Sequence, residues 1–342
     1  MSDKMYIAEA PSNIAFLKYW GKEDSESQWP WNDSLSMTLS HCMTRTQSLI
    51  RSDLQDFLIS FDGHVLNSGP KKEKIHRYLS FLKDKFHFDS FLELETENNF
   101  PTGSGVASSA SGFAALTLSA LAAWTDSDSF EELERKGFSL EKLAFLSRLG
   151  SGSSCRSFFG GYVVWEKGET SQKQAVKPFL SGYDWKLSDT VVILSEDEKK
   201  LSSSEAHKRV PTSPLFKVRL SNMKEKLRSF QSALSKRKME RLGALLEKEA
   251  LEIHNLIMTA EKPFSYLSDA TLEFLCWLRK MREEEGVKAY FTIDAGPNVH
   301  VITQEEDTLR FRSLLRKSFP ELKFISDEVG SGPKLYVEDI LE

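Results

Sequence analysis

The segment "APSNIAFLKYWGKED" sets Lys18, Tyr19, Trp20, Gly21 and Lys22 side by side. If the chain is extended up to a loop at Gly21, side chains alternate, so Lys18, Trp20 and Lys22 point one way and Tyr19 the other. Two ammonium groups on one side suit an anionic ligand; two surface lysines flanking a turn read the same way. A second candidate is "NNFPTGSGVASSASGFAALTLSALAAW", where small residues precede a long Ala/Leu-rich run. Glycine lets a backbone bend tightly and lets another group come close. A helix start presents unpaired N–H groups and partial positive charge, which together make a seat for phosphate. A flexible turn before a capped core helix is the competing reading.

In "SRLGSGSSCRSFFGGYVVW", Ser151, Gly152, Ser153 and Ser154 run through Cys155 into Arg156. Hydroxyls, N–H groups and one guanidinium match the bidentate binding of phosphate or carboxylate; a polar loop with a structural arginine is the alternative. In "AYFTIDAGPNVHVI", Asp294 leaves an apolar strand into a tight turn, placed to be a base or simply to cap the turn. Three anion seats and one poised carboxylate make the inventory of a phosphoryl-transfer site. Neither a GxxxxGKS/T loop nor the protein-kinase catalytic-loop pattern occurs.

Strands and helices must position these groups. "FLELETENNF" alternates apolar and polar residues, predicting strand, loop and helix around the Gly/Ser run. "YVVWEKG" and "TVVILSED" read as strands. From about 213 to 260, apolar residues recur at three- and four-residue intervals, the pattern of helix. Its basic cluster of Lys236, Arg237, Lys238 and Arg241 is interleaved with acidic residues, which favours a solvated face over a nucleic-acid surface. "ATLEFLCWLRKMREEEG" reads as a further helix, "KAYFTIDAGPNVHVIT" as strand–turn–strand, and a final helix and strand follow. A shift in composition near 183–190 marks the expected domain boundary, giving domains 1–185 and 186–342.

With 342 residues the chain suffices for two domains. A net charge of −5 gives no general attraction to nucleic acid or anionic membrane. Three scattered cysteines form neither a disulfide framework nor a zinc pattern. With no signal-like N-terminus and no apolar run long enough to span a bilayer, the expectation is a cytoplasmic protein.

"NIAFLKYWGK", "NDSLSMTLS", "NNFPTGSGVASSASGFAAL", "RLGSGSSCRSFFGGYVVW" and "AYFTIDAGPN" occur in the order seen in diphosphomevalonate decarboxylases. The chain resembles that family from about Ala10 onward, within the GHMP kinase superfamily. "KYWGK" and "GSGSxCRS" are the specific signals, whereas the Gly/Ser loop is shared across the superfamily. The resemblance implies an α+β, two-domain GHMP-kinase-like fold. Its N-terminal domain is ribosomal protein S5 domain 2-like, its C-terminal domain is ferredoxin-like, and the active site lies between them. It implies ATP-dependent decarboxylation of mevalonate 5-diphosphate to isopentenyl diphosphate, with ATP and Mg²⁺ as cofactors and a homodimer as the usual assembly.

By the same resemblance, Gly103, Ser104, Gly105, Val106, Ala107, Ser108 and Ser109 cradle the ATP phosphates, with Ser109 nearest the metal. Tyr19, Trp20, Gly21 and Lys22 hold substrate diphosphate, and Ser151, Gly152, Ser153, Ser154 and Cys155 form a second substrate loop. Arg156 grips the substrate carboxylate. Asp294 serves the tertiary hydroxyl with Lys18 beside it, and Ser203 and Ser204 contact substrate phosphate.

Some residues depart from the family pattern. The loop reads "PTGSGVASS" where "PTAAGLASS" is usual, and Trp29 and Trp31 stand in place of aliphatic residues, walling a pocket or packing a loop. His207 replaces a methionine. "LNSGPKKEKIHRY" lacks a phosphate-contacting arginine, for which Lys71 or Lys72 could substitute. That last departure leaves a mevalonate 5-phosphate decarboxylase, or a kinase acting only on the C3 hydroxyl, as alternatives.

Overall fold

A computed structural model describes residues 4–101, 106–197 and 200–340. Its first half is built on β1 (Lys4–Leu17), β2 (Lys22–Asp24), β3 (Trp29–Pro30) and β4 (Ser34–Arg51), followed by β5 (Leu58–Phe61) and β6 (His64–Val65). Helix α1 (Pro70–Phe86), β7 (Phe91–Asn98), α2 (Ser108–Thr125), α3 (Phe130–Arg135) and α4 (Leu140–Gly150) come next. A 3₁₀ turn over Gly152–Phe158 then leads into β8 (Tyr162–Glu166) and β9 (Ala175–Leu180). The second half holds β10 (Leu187–Val192), α5 (Ser203–Arg209), α6 (Phe216–Ser221), α7 (Met223–Ser235), α8 (Met239–Met258) and α9 (Asp269–Glu285). It ends with β11 (Ala289–Thr292), β12 (Val299–Gln304), α10 (Glu305–Ser318), β13 (Phe324–Glu328) and β14 (Lys334–Asp339).

Strands β14, β1, β4, β7, β5 and β6 form one sheet in that order, with β8 attached to β4 and β9 to β8, while β11, β12, β10 and β13 form a second, antiparallel sheet. Helix α2 carries no charged residue and is buried almost without break from Ala110 to Ala123. A helix apolar all round belongs inside a fold. Its hydroxyls are satisfied there: Ser119 Oγ donates to the Tyr6 carbonyl at 2.8 Å and lies 2.6 Å from Ser48 Oγ. The end of α4 presses so close that a Cβ on Gly150 would lie 1.9 Å from the Phe113 ring. Glycine here serves close packing as well as the turn.

The strand and helix readings of the sequence agree with these elements, with two differences. The helical stretch from 213 to 260 is three helices, and its largest break falls at Arg237, whose φ of 49° turns the chain between α7 and α8. The basic cluster around that break is exposed. Strand β14 pairs antiparallel with β1, Lys4 opposite Asp339 through Glu9 opposite Lys334, so a segment late in the chain completes the first sheet. The two halves also share a core, in which Phe16, Leu17 and Met37 pack with Val191, Leu242 and Ile302. A carboxylate bolts the joint further: Asp327 of β13 accepts from the N–H groups of Ser40, His41 and Cys42 at 2.8, 2.9 and 2.7 Å.

Candidate active site

A cleft of 460 Å³ opens between the halves. Strand β1 reaches it through two register shifts against β4, between Pro11 and Asn13 and between Ala15 and Leu17. Proline cannot donate to a ladder, so a strand carrying it must bulge, and a bulge re-aims the side chains beyond it. Lys18, just past the second shift, is buried, and its ammonium donates to the Ala15 carbonyl at 2.9 Å and pairs with the Asp294 carboxylate. Asp294 follows β11, and its side chain is 25 % exposed, open to the cleft. The turn after it is closed by the backbone, Gly296 N–H to the Asp294 carbonyl at 2.9 Å. Its side chain reaches Lys18 and the cleft wall.

Arg156 presents a second charge to the same space. Its Nε and Nη2 donate to Asn13 Oδ1 at 3.2 and 3.0 Å, and its Nη1 to Ser34 Oγ at 2.8 Å. Among the described residues no carboxylate comes within ion-pair distance of it, although it is 2 % exposed. A buried guanidinium held only by neutral groups is costly until an anion arrives. Burial pushes its pKa below the usual arginine value.

Val106, Ala107, Ser108 and Ser109, at the start of α2, line the cleft, and Ser151 Oγ lies 3.2 Å from Ser109 Oγ. Gly103, Ser104 and Gly105 lie outside the described residues. Lys22, Ser151, Gly152, Ser153, Ser203 and Ser204 also face the cleft. A Cβ on Gly152 would meet the Tyr19 hydroxyl at 2.5 Å, so this glycine lets Tyr19 and the loop share the wall. Burial, with Lys74 and Lys208 adding repulsion, lowers Lys22 to about 8.

Several sequence expectations require correction. Strand β1 stops at Leu17, so the alternation of residues 18–22 does not apply: Lys18, Tyr19, Trp20 and Lys22 all reach the cleft. Gly21 does not line it; with φ of 84° it makes the turn, and its N–H donates to His207 Nδ1 at 3.1 Å. Ser154 and Cys155 point into the core, where Ser154 Oγ donates to the Ser151 carbonyl at 2.7 Å and Cys155 Sγ lies 3.1 Å from the Gly152 carbonyl. Of the two readings of Trp29 and Trp31, packing is the one seen: neither lines the cleft, and Trp31 packs edge-on against Phe216 at 6.0 Å. Lys71 covers the Phe61 ring and Lys72 donates to the Asn67 carbonyl at 3.3 Å. The cation that α1 delivers is instead Lys74.

Asn13, Gln28, Lys74 and His207 are cleft residues that the sequence reading missed as members of the site. An amide inside the apolar run "NIAF" is the one local signal for Asn13. His207 stacks on Tyr19 with ring centres 4.8 Å apart. Desolvation first, and Lys22 second, push it down to about 3, so it is neutral and acts as acceptor for Gly21.

Among the described residues no group of three or more His, Cys, Asp or Glu could hold a metal ion, and no helix is long and apolar enough to cross a membrane. A magnesium ion arriving with phosphates needs few protein ligands, because it keeps waters and phosphate oxygens in its shell. The neighbouring hydroxyls of Ser109 and Ser151 fit that requirement.

Two domains joined over such a cleft, with a buried helix starting at its wall, define a GHMP-kinase-like fold. Residues 10–176 match the diphosphomevalonate decarboxylase-like N-terminal domain, and residues 190–338 the mevalonate 5-diphosphate decarboxylase C-terminal domain. The chain belongs to the diphosphomevalonate decarboxylase family. It is 31 % identical to the diphosphomevalonate decarboxylase of Ganoderma lucidum, over 96 % of this chain and 86 % of that protein. Among solved structures it is similar to MDDEF in complex with MVAPP, AMPPCP and magnesium, with 30 % identity, a TM-score of 0.88 and coverage of 97 % and 98 %. It also resembles mevalonate diphosphate decarboxylase from Staphylococcus aureus, at 30 % identity, a TM-score of 0.87 and the same coverage.

Proposed function

We propose that this chain catalyses the ATP-dependent decarboxylation of mevalonate 5-diphosphate to isopentenyl diphosphate, with release of ADP, phosphate and CO₂. The observation that carries this reading is the convergence of the Lys18–Asp294 pair, the carboxylate-free Arg156 and the start of α2 on one cleft. ATP, as its magnesium complex, supplies the phosphoryl group that makes the C3 hydroxyl a leaving group.

The residues divide the work. Asp294 orients the C3 hydroxyl and takes its proton, and Lys18 offsets negative charge beside it. When phosphate leaves C3 with its bonding pair, the electrons of the bond to the carboxylate become the new double bond and CO₂ departs. Arg156 holds that carboxylate in line for fragmentation. The start of α2, with Ser108 and Ser109, receives the ATP phosphates, and the hydroxyls of Ser109 and Ser151 would be available to the magnesium ion that accompanies them. Tyr19, Trp20, Lys22, Ser151, Gly152, Ser153, Ser203 and Ser204 hold the substrate diphosphate, with Lys74 supplying the cation expected from Lys71 or Lys72. A cytoplasmic homodimer divided at 185/186, with β14 returning across that boundary, belongs to the same proposal.

The deciding experiment supplies Mg-ATP with mevalonate 5-diphosphate or mevalonate 5-phosphate and follows ADP and CO₂ together. Equal release of both from the diphosphate is expected. ADP without CO₂ would make the protein a kinase, and turnover of the monophosphate alone would reassign the substrate.

Two further results are expected. Lys74→Met removes one charge-assisted hydrogen bond, so the KM for mevalonate 5-diphosphate should rise about 10- to 100-fold, from roughly 1.5–3 kcal/mol, with kcat little changed. An unchanged KM would place Lys74 outside the substrate site. Lys22, lowered to about 8, is a cation below that pH and neutral above it. Its pull on the diphosphate is therefore present at pH 7 and fades as pH rises past about 8, and KM should climb between pH 7.5 and 9. Lys22→Arg should flatten the climb, because arginine stays charged throughout; an equal climb in both enzymes would assign it to another group.

A further inference from the structure

Strand β1 ends at Leu17, where its register with β4 ends opposite Leu35. Lys18 follows with no strand partner, 1 % exposed, and its backbone N–H and C=O must be satisfied otherwise. The helices beyond the boundary satisfy them. The Lys18 N–H donates to Glu249 Oε1 at 3.1 Å, and its carbonyl accepts from Arg219 Nη2 at 2.9 Å and from Asn32 Nδ2 at 3.1 Å. Glu249 on α8 and Arg219 on α6 are ion-paired to each other, each side chain 1 % exposed. Arg219 Nη1 also reaches Glu249 Oε2 at 3.0 Å, and Lys226 closes the outer side of that carboxylate at 3.0 Å. Neither Glu249 nor Arg219 lines the cleft.

A buried ion pair is a weak way to stabilise a fold, since apolar residues of similar volume often do as well or better. Its placement here serves another end. We infer that the Glu249–Arg219 pair is a positioning device that clamps both backbone polar groups of Lys18, so that its ammonium spans the Ala15 carbonyl and the Asp294 carboxylate in the reacting geometry. A lysine side chain is flexible, and it holds one position only when its anchor is fixed. The inference rests on the reading of Lys18 and Asp294 as the reacting pair. Burial alone would raise the Glu249 carboxyl, but Arg219 and Lys226 hold it at about 2, so the clamp stays charged at neutral pH.

The test compares full-length Glu249→Gln, Arg219→Lys and Lys18→Met by steady-state kinetics, normalised to folded enzyme by circular dichroism and thermal melting. A displacement on the order of 1 Å at a reacting group costs about 100-fold. The clamp variants should therefore lose about 10- to 100-fold in kcat, with substrate KM within about threefold of wild type. Glu249→Asp, which keeps the charge, should recover part of the loss. The double variant Glu249→Gln/Lys18→Met should be no slower than Lys18→Met alone, because both act through one group. A purely structural role would lower melting temperature while leaving kcat per folded enzyme intact, and would overturn the inference; so would a double variant whose losses multiply. Should both core variants fail to fold, Lys226→Met acts from the partly exposed edge: a smaller fall in kcat at constant KM is expected, and an unchanged kcat refutes the clamp. Wild-type turnover by Lys18→Met would instead overturn the reading of the reacting pair, and the clamp with it.

Discussion

Asp294→Asn should lower kcat by about 10²–10⁴-fold, the range of a positioned general base, while ATP binding is largely retained. The substitution is nearly isosteric, so the turn held by Gly296 N–H stays in place. What changes is charge: the amide cannot take the hydroxyl proton, and Lys18, 2 % exposed in its side chain, is left beside a neutral group. Steady-state release of ADP and CO₂, paired with a nucleotide-binding measurement, checks this. Near-normal CO₂ release would remove Asp294 from the chemistry. Loss of nucleotide binding together with turnover would mean that the variant had disturbed the cleft itself.

The second large effect is expected at Arg156. Arg156→Gln keeps a polar side chain near Asn13 and Ser34 but removes the charge from a site where, among the described residues, no carboxylate lies within ion-pair distance. Truncating one partner of a buried charge pair costs about 2–5 kcal/mol, so kcat/KM should fall roughly 30- to 5000-fold. If Arg156 aligns the carboxylate, the variant should also form ADP faster than CO₂, because phosphorylation no longer commits the substrate to fragmentation. Loss of both products in a constant 1:1 ratio would assign Arg156 to binding alone. Arg156→Lys should not restore the wild-type rate, since an ammonium lacks the fork that meets Asn13 and a carboxylate together.

Much of this site is visible in the sequence because its signals are local. An acidic residue leaving an apolar strand, an arginine after a serine run and small residues before an apolar helix each follow from neighbours in the chain. Residues that join through tertiary packing give no such signal. Lys74 sits one turn into an ordinary amphipathic helix, and only the approach of α1 to the cleft separates it from Lys71 and Lys72. His207 reaches the wall because the last turn of α5, from the far half of the chain, packs on Tyr19.

The absence of Ser154 and Cys155 from the cleft lining has a geometric cause. The family resemblance implies one substrate loop over residues 151–155, but Gly152–Phe158 is a 3₁₀ turn. In so tight a turn neighbouring side chains fan apart: Ser153 and Arg156 face the cleft, while Cys155 and Phe158 enter the core. The fold divides likewise. Strand and helix positions follow from periodicity, whereas the pairing of β14 with β1 joins residues more than three hundred positions apart, beyond what any local pattern encodes.

That long-range pairing bears on how the protein is made. While the ribosome is still delivering the helices of the second half, β1 has its partner on the β4 side but a bare row of amides and carbonyls on the other. Unpaired strand edges template association with other chains. The nascent N-terminal half therefore spends most of its synthesis with a sticky margin, and the danger passes only when Lys334–Asp339 emerges and zips it shut.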